Sequence, residues 1–188
     1  DYANGLAAIN ARQIEMIVDP ATRYREDPVR MLRAVRFATK LDMSIAPATE
    51  QPLNELASLL DNIPAARLFE ETLKLFLNGK AEANFLMLRK YGLFKSLFPA
   101  LDSILDSNPD GLEFALIQQM FRNTDERINA EKKVTPAFIF AALLWFPLLQ
   151  ITKALQEQEQ LSEYDAFAQG MNKVNSDKSP RRAPKPHA

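Results

Sequence analysis

The chain has 188 residues, 47% of them hydrophobic, with 5 Gly, 12 Pro, no Cys and 1 His. This much apolar sequence can bury a core, and the scarcity of glycine disfavours a many-stranded sandwich or a Gly-rich phosphate loop. Because cysteine is lacking and the single histidine is His187, the sequence excludes a Cys/His zinc site and a triad with a histidine base in the folded body. A mostly helical protein is predicted.

The formal net charge of -1 hides two basic segments. Residues 23–40 contain six Lys or Arg against two acidic residues, and residues 173–185 contain five against one. Each segment therefore has a net charge of +4. Since phosphates attract such clusters, a local site for a polyanion is predicted despite the nearly neutral total.

The start of the sequence and its hydropathy indicate where in the cell the protein is located. The first residue is Asp1 rather than Met, so we expect the chain to be part of a longer protein. The most apolar run, Ala137 to Leu149, is interrupted by Pro147 and is shorter than a membrane span. No signal-peptide pattern opens the sequence. A cytoplasmic protein without a membrane partner is predicted.

The first clear helical pattern begins at Asp27-Pro28, with Asp as the N-cap and Pro at the first helical position, and continues to about Leu41. At 100° per residue, its apolar and basic residues fall on opposite sides. The apolar side holds Met31, Leu32, Ala34, Val35, Ala38 and Leu41, and the basic side holds Arg30, Arg33, Arg36 and Lys40. An amphipathic helix with a basic stripe is predicted.

More helices follow along the chain. Apolar spacing and proline or glycine boundaries predict them over Leu53 to Leu60, Pro64 to Asn78, Ala81 to Tyr91, Leu112 to Arg122 and Thr135 to Phe146, with an apolar turn at Leu93 to Pro99. The helix after Thr135 is apolar on every side, which predicts the centre of a bundle with Trp145 in the core. The fold class predicted is all-α, a multi-helix bundle with a disordered basic tail over residues 175–188.

A carboxylate and a guanidinium lie three residues apart at the start of the basic helix, so Asp27 and Arg30 project to the same side. A group that only accepts hydrogen bonds, beside one with several donors, can read the Watson-Crick edge of a base. The alternative is structural: Asp27 caps the helix, and Arg30 pairs with Glu26 in solvent. The residue pattern alone favours this structural alternative.

Other polar residues carry weaker signals. Lys132 and Lys133 are candidate RNA contacts, although such a pair is more often a solvated surface. The i,i+4 spacing of Arg67 and Glu71 predicts a structural pair that positions its helix against the basic segment, and not a pair of catalytic groups. The sequence contains no P-loop and no Asp-x-Asp pair, so we predict no metal site and no catalytic residue in this chain.

Residues Arg23 to Leu41 resemble the signature EDPxRxLRxxRF of the class II nucleotidyltransferase superfamily, which contains bacterial poly(A) polymerases and CCA-adding enzymes. Asn62 to Glu71 is similar to the second helical element of that superfamily, and Leu93 to Pro99 to its Leu-Phe-x-x-Leu-Phe-Pro turn. Thr135 to Pro147 resembles the poly(A) polymerase branch. The resemblance covers residues 1–174.

The resemblance implies roles for individual residues. The superfamily's Glu-Asp-x-x-Arg element selects the incoming nucleotide without a nucleic-acid template, and it falls here on Glu26, Asp27 and Arg30. Arg33 would support the same pocket. Superfamily members build their metal-binding carboxylates into an N-terminal head domain, so Mg²⁺ is expected only with that head, in cis. ATP would be the substrate, and RNA 3′ ends would be the acceptors.

Candidate contacts to RNA phosphates extend this site along the basic stripe. They are Arg36 and Lys40, together with Lys132 and Lys133 from the later part of the chain. The resemblance also divides the chain: residues 1–22 lead from the head, 23–99 form neck helices, 100–174 form RNA-binding body helices, and 175–188 are the tail.

The function predicted is the nucleotide-selecting and RNA-binding portion of a polynucleotide adenylyltransferase, inactive by itself. One alternative is a fragment of a CCA-adding tRNA nucleotidyltransferase, which shares the Glu26-Asp27-x-x-Arg30 element. Another alternative is a non-catalytic helical module that binds RNA or protein.

Overall fold

The structure is a computed structural model that describes residues 5–176, and helices make up nearly all of its regular elements. The predicted all-α class is therefore confirmed. In chain order, the α-helices are α1 (Gly5–Asn10), α2 (Pro20–Glu26), α3 (Val29–Leu41), α4 (Pro47–Glu50), α5 (Pro52–Leu56), α6 (Ala65–Phe76), α7 (Ala81–Lys90), α8 (Leu93–Leu97), α9 (Pro99–Ser107), α10 (Leu112–Asn129), α11 (Pro136–Glu159) and α12 (Glu163–Ser176). A 3-10 helix spans Ala57–Asn62, and two short strands are β1 (Gln13–Ile14) and β2 (Ser44–Ile45).

The N-terminal strip is fixed to the segment that follows α3. Strands β1 and β2 pair in parallel, with Gln13 opposite Ser44 and Ile14 opposite Ile45. Beyond the strand, the Met16 amide donates to Thr49 Oγ1 at 2.9 Å. These hydrogen bonds place residues 13–16 beside the basic helix.

The chain enters α3 differently from the prediction. A separate helix, α2, precedes it, and Asp19 caps α2 by accepting a hydrogen bond from the Thr22 amide at 2.8 Å. Helix α3 begins at Val29, and its N-cap residue, Pro28, offers no side-chain hydrogen bond. The prediction that Asp27 caps α3 is wrong, because its carboxylate is bonded to another helix.

Prolines account for most of the remaining differences in element boundaries. The helix predicted over Leu53 to Leu60 is divided into α5, which begins at Pro52, and the 3-10 helix that follows. Helix α9, which begins at Pro99, was not predicted, because this proline was interpreted only as the end of an apolar turn. Proline is favoured at the first position of a helix, so it marks a start as readily as a stop.

Aromatic side chains join the middle helices into one core. Phe76, Phe85 and Phe121 are fully buried, and the ring centroid of Phe121 lies 4.5 Å from that of Phe76 and 5.2 Å from that of Phe85. Phe94 and Phe98 extend the cluster with centroids 5.3 Å apart. Because each ring removes about 150–250 Å² of surface from water, this cluster fixes α6, α7 and α10 relative to one another.

A buried polar link ties α3 to that core. Thr39 Oγ1 donates to Asn84 Oδ1 at 2.7 Å, and Asn84 Nδ2 donates to the Leu75 carbonyl at 2.7 Å. The apolar side of α3 is buried as predicted, except for Leu41, which is 49% exposed at the helix end. The basic side is consequently left at the surface, beside α6.

Helix α11 is longer and more exposed than predicted. It continues through Pro147 to Glu159, packs against α9, α10 and α12, and buries Ile139 and Leu143. Phe138 and Trp145 are each about half exposed, at 51% and 48%. The predictions that this helix forms the bundle centre and that Trp145 belongs to the core are wrong, because packing covers only one side of it.

Within the described part of the chain, α11 is also the helix whose length and composition would suffice to cross a membrane. The apolar run Ala137 to Leu149 is thus part of a helix that is longer than the sequence predicted. Core helices of soluble proteins meet the same criterion. Helix α12 folds back on α11, and the predicted tail beyond Ser176 lies outside the described residues.

Candidate functional site

Two helices, α3 and α6, bring the candidate residues together. Asp27 stands between α2 and α3, Arg30 and Arg33 lie on the exposed side of α3, and Arg67 and Glu71 lie one helical turn apart on α6. Because α3 and α6 pack side by side above the aromatic core, their polar sides meet along one edge.

The Asp27 carboxylate is held by α6 instead of the end of α3. Arg67 Nη2 lies 2.9 Å from Oδ1 and 2.9 Å from Oδ2 of Asp27. Arg30 Nε lies 3.9 Å from the same Oδ2, and the Asp27 side chain is 19% exposed. A carboxylate and a guanidinium are therefore adjacent at the surface, as predicted from their spacing.

Arg30 is not paired with Glu26. Glu26 is instead paired with Arg23, whose Nη1 lies 2.6 Å from Glu26 Oε2. Arg30 Nε is buried without a hydrogen-bond partner among the described residues, and 31% of its side chain is exposed. The structural alternative, with Asp27 as a cap and Arg30 paired with Glu26, is wrong in both parts.

A buried carboxylate stands behind the basic stripe. Glu71 is 4% exposed in its side chain, its Oε1 lies 3.7 Å from Arg33 Nη2, and the same oxygen accepts from Lys74 Nζ at 2.9 Å. Its Oε2 is buried without a hydrogen-bond partner among the described residues. Burial of a carboxylate between two cations orients Arg33 toward the site, since an unpaired buried charge would be costly.

Arg67 and Glu71 hold α6 against the basic segment, as predicted, but through partners that were not predicted. Their spacing predicted that they pair with each other, whereas each one contacts a residue of the basic segment: Arg67 contacts Asp27, and Glu71 contacts Arg33. The signal was their i,i+4 spacing, which places both on one face of α6. The spacing did not identify the individual partners, because Asp27 lies 40 positions from Arg67 in the chain.

An apolar groove opens beside the two arginines of α3. It has a volume of about 320 Å³ and lies between the N-terminal strip and α3. Ile14, Met16, Ile17 and Phe37 give it an apolar lining, and Arg23, Arg30 and Arg33 also line it. Glu15 adds one carboxylate to the lining. An apolar surface with three arginines at its border suits the flat base and the phosphates of a nucleotide.

The predicted contacts to RNA phosphates lie in two parts of the structure. Arg36 stacks on Phe37, with its guanidinium carbon 4.6 Å from the ring centroid, and Lys40 is exposed near the end of α3. Lys132 and Lys133 are exposed in the loop between α10 and α11. Along residues 5–176, no group of three or more His, Asp or Glu side chains is arranged to hold a metal ion.

Comparisons with known proteins agree on one family. Residues 42–105 match a family described as "Probable RNA and SrmB- binding site of polymerase A". Poly(A) polymerase I of Salmonella typhimurium is 48% identical over 174 residues, which are 93% of this chain and 37% of that protein. The CCA-adding enzyme of Bacillus licheniformis is 42% identical over 103 residues, which are 54% of this chain and 25% of that enzyme.

A solved structure shows the same fold. The "tRNA-processing enzyme (apo form 2)" superposes with a TM-score of 0.51 at 20% sequence identity, covering 84% of this chain and 52% of that one. This chain spans well under half the length of the poly(A) polymerases that it matches.

Proposed function

The chain belongs to the class II nucleotidyltransferase family, and from this membership we propose that it selects the nucleotide and binds RNA in a polynucleotide adenylyltransferase. Such an enzyme joins AMP from ATP to an RNA 3′ end without a template and releases pyrophosphate. The observation that carries the proposal is the adjacency of Asp27 and Arg30 at the surface, 3.9 Å apart, beside an apolar groove.

Adenine selection follows from the donors and acceptors of this pair. The Watson-Crick edge of adenine carries an amino group, which donates, next to a ring nitrogen, which accepts. In the proposed complex the Asp27 carboxylate accepts from the amino group, and the Arg30 guanidinium donates to the ring nitrogen. Glu26 is exposed and paired with Arg23, so its contribution is to the surrounding charge.

Phosphate binding is the proposed role of the remaining cations. Arg33 faces the groove, and Arg36 and Lys40 continue the stripe along α3. Lys132 and Lys133, exposed between α10 and α11, would contact a longer RNA. None of Arg36, Lys40, Lys132 and Lys133 forms an ion pair with a carboxylate within residues 5–176, which leaves their charge available to phosphates.

Catalysis is assigned to a head domain in cis. Mg²⁺ bound there would supply the phosphoryl-transfer chemistry. This chain would select the nucleotide and bind the RNA. The 188-residue chain alone is therefore expected to bind nucleotide weakly and to extend no primer. A cytoplasmic location and the absence of a membrane partner stay predictions.

The test is a set of NMR titrations of the 188-residue chain with ATP, CTP, GTP and UTP. We expect ATP to bind more tightly than GTP, and a double variant, Asp27→Ala with Arg30→Ala, to lose this preference. A matched control is Glu82→Ala with Arg122→Ala, which removes an exposed ion pair of 2.7 Å elsewhere in the fold. Equal affinity of the unaltered chain for all four nucleotides would contradict the proposal.

The CCA-adding alternative has one observation in its favour, the 42% identity of the Bacillus licheniformis enzyme over 103 residues. That match covers 54% of this chain, against 93% for the poly(A) polymerase. The alternative predicts that CTP binds about as well as ATP, since cytosine also presents an amino group beside a ring acceptor. The same titrations therefore separate the two.

A further inference from the structure

We propose that Arg67 is a positioning residue that determines which purine the site accepts, because it fixes the place of Asp27 relative to Arg30. This inference rests on the proposed function of Asp27 and Arg30 as the pair that reads the base. Arg67 itself is not required to touch the nucleotide.

The order of the two groups decides between adenine and guanine. Adenine has a donor at its exocyclic position and an acceptor at the neighbouring ring nitrogen, whereas guanine has an acceptor and a donor at those positions. A carboxylate facing the exocyclic group and a guanidinium facing the ring nitrogen therefore accept adenine. The same two groups in the opposite order accept guanine, so selectivity requires that the carboxylate be held in one place.

The Asp27 carboxylate has an alternative position, in which it would cap the start of α3. It lies just before Pro28 and the first turn of α3, and aspartate is among the favoured residues for bonding free amides at a helix start. The positive end of the helix also attracts a carboxylate. In the structure this cap is not formed, and the Arg30 amide instead donates to the Asp27 backbone carbonyl at 3.0 Å.

The contact with Arg67 holds the Asp27 carboxylate away from this capping position. A single nitrogen, Nη2, lies 2.9 Å from both carboxylate oxygens, which leaves other lone pairs of the carboxylate free for a base. The arginine stands on α6, whose Leu68, Leu75 and Phe76 are buried in the core. A guanidinium on an anchored helix therefore sets the carboxylate beside Arg30.

The test compares ATP and GTP titrations of the 188-residue chain and of Arg67→Met. We expect the preference for ATP over GTP to fall by about fivefold or more, the lower part of the discrimination that a bidentate contact provides. Arg67→Lys should restore most of the preference, because one ammonium can reach both oxygens as Nη2 does. The Arg30 amide resonance should shift in Arg67→Met as the Asp27 side chain turns to the cap.

Arg122→Met is the matched control. Arg122 is 48% exposed and pairs with Glu82 at 2.7 Å, while Arg67 is 43% exposed and pairs with Asp27 at 2.9 Å. The control should retain the ATP preference of the unaltered chain. If the control loses as much preference as Arg67→Met, the effect comes from removing any positive charge and not from the position of Asp27. The inference is then overturned.

The remaining outcomes separate this inference from the proposed function. If the unaltered chain prefers ATP and Arg67→Met prefers it equally, the positioning role is wrong and the proposed function stands. If the unaltered chain does not distinguish ATP from GTP, the proposed function itself fails, and the inference fails with it.

Discussion

Two of the Asp–Arg contacts between elements of residues 5–176 differ mainly in burial. Arg67 contacts Asp27 at 2.9 Å, and the two side chains are 43% and 19% exposed. Arg89 on α7 contacts Asp102 on α9 at 2.6 Å, and those side chains are 16% and 11% exposed. The same pair of functional groups therefore occurs once at an open edge and once between packed helices.

The buried pair of Arg89 and Asp102 makes further contacts. Arg89 also bonds Asp106 at 2.7 Å, and its guanidinium carbon lies 5.8 Å from the centroid of the Phe114 ring. Burial raises the pKa of Asp102, against the lowering effect of the nearby Arg89 charge. We infer that burial commits Arg89 to holding helices together. The Asp27 carboxylate is partly exposed, and its buried Oδ1 has no hydrogen-bond partner among the described residues.

Arg89→Met should give the largest loss of stability. It leaves the Asp102 carboxylate buried without its cation, which costs about 3 kcal/mol in the free energy of unfolding. Arg67→Met should cost less than about 1 kcal/mol, because its pair is partly in solvent. Urea denaturation followed by circular dichroism measures both, and equal losses would refute the distinction between the two pairs.

A double variant sharpens this comparison. Arg89→Met together with Asp102→Leu removes both charges, so no buried carboxylate is left unpaired, and we expect much of the lost stability to return. A double variant as unstable as the sum of the two single variants would show that packing of Arg89, and not its charge, matters there.

Arg33→Met should have an intermediate effect of about 1 kcal/mol on stability. Glu71 is buried, and without Arg33 its remaining cationic partner within residues 5–176 is Lys74, at 2.9 Å. Thermal unfolding measures the change. Lys40→Met is the matched control on the same helix, since Lys40 is exposed and forms no ion pair with a described carboxylate, and it should leave the melting temperature unchanged.

The pH dependence of stability tests the burial of Asp102. Since burial raises the pKa of this group above its usual value of 3.8, the folded chain holds a proton that the unfolded chain releases. The contribution of Asp102 to stability is therefore fully present below the unfolded pKa and is lost as the pH rises through the folded pKa. Relative to Asp102→Asn, the stability of the unaltered chain should fall as the pH rises through this acid range. A difference that does not vary with pH would contradict the assignment.

The smallest effect is expected at a fully solvated pair. Lys153 and Glu157 lie 3.9 Å apart on α11 and are 77% and 66% exposed. Lys153→Met should change the free energy of unfolding by less than about 0.5 kcal/mol. A loss comparable to that of Arg89→Met would mean that exposure is a poor guide to the role of these ion pairs.

The sequence by itself determined the features that depend on local spacing. The apolar period of α3 and the boundaries of α6 and α7 are close to the predicted ones, because a helix repeat and its glycine or proline ends are local properties. The proximity of Asp27 and Arg30 is local as well, since three residues separate them. The roles of Glu26, Asp27, Arg30 and Arg33 in nucleotide binding stay predictions.

Tertiary structure decided which groups from distant parts of the chain meet. Arg67 reaches Asp27 across 40 positions, and this contact replaces the helix cap that the local sequence favours. The exposure of Trp145 was likewise set by how many neighbours pack around α11, because an apolar period indicates which residues can be buried and not whether anything covers them. Local spacing thus placed Asp27 beside Arg30, and the packing of α6 against α3 brought Arg67 to the Asp27 carboxylate.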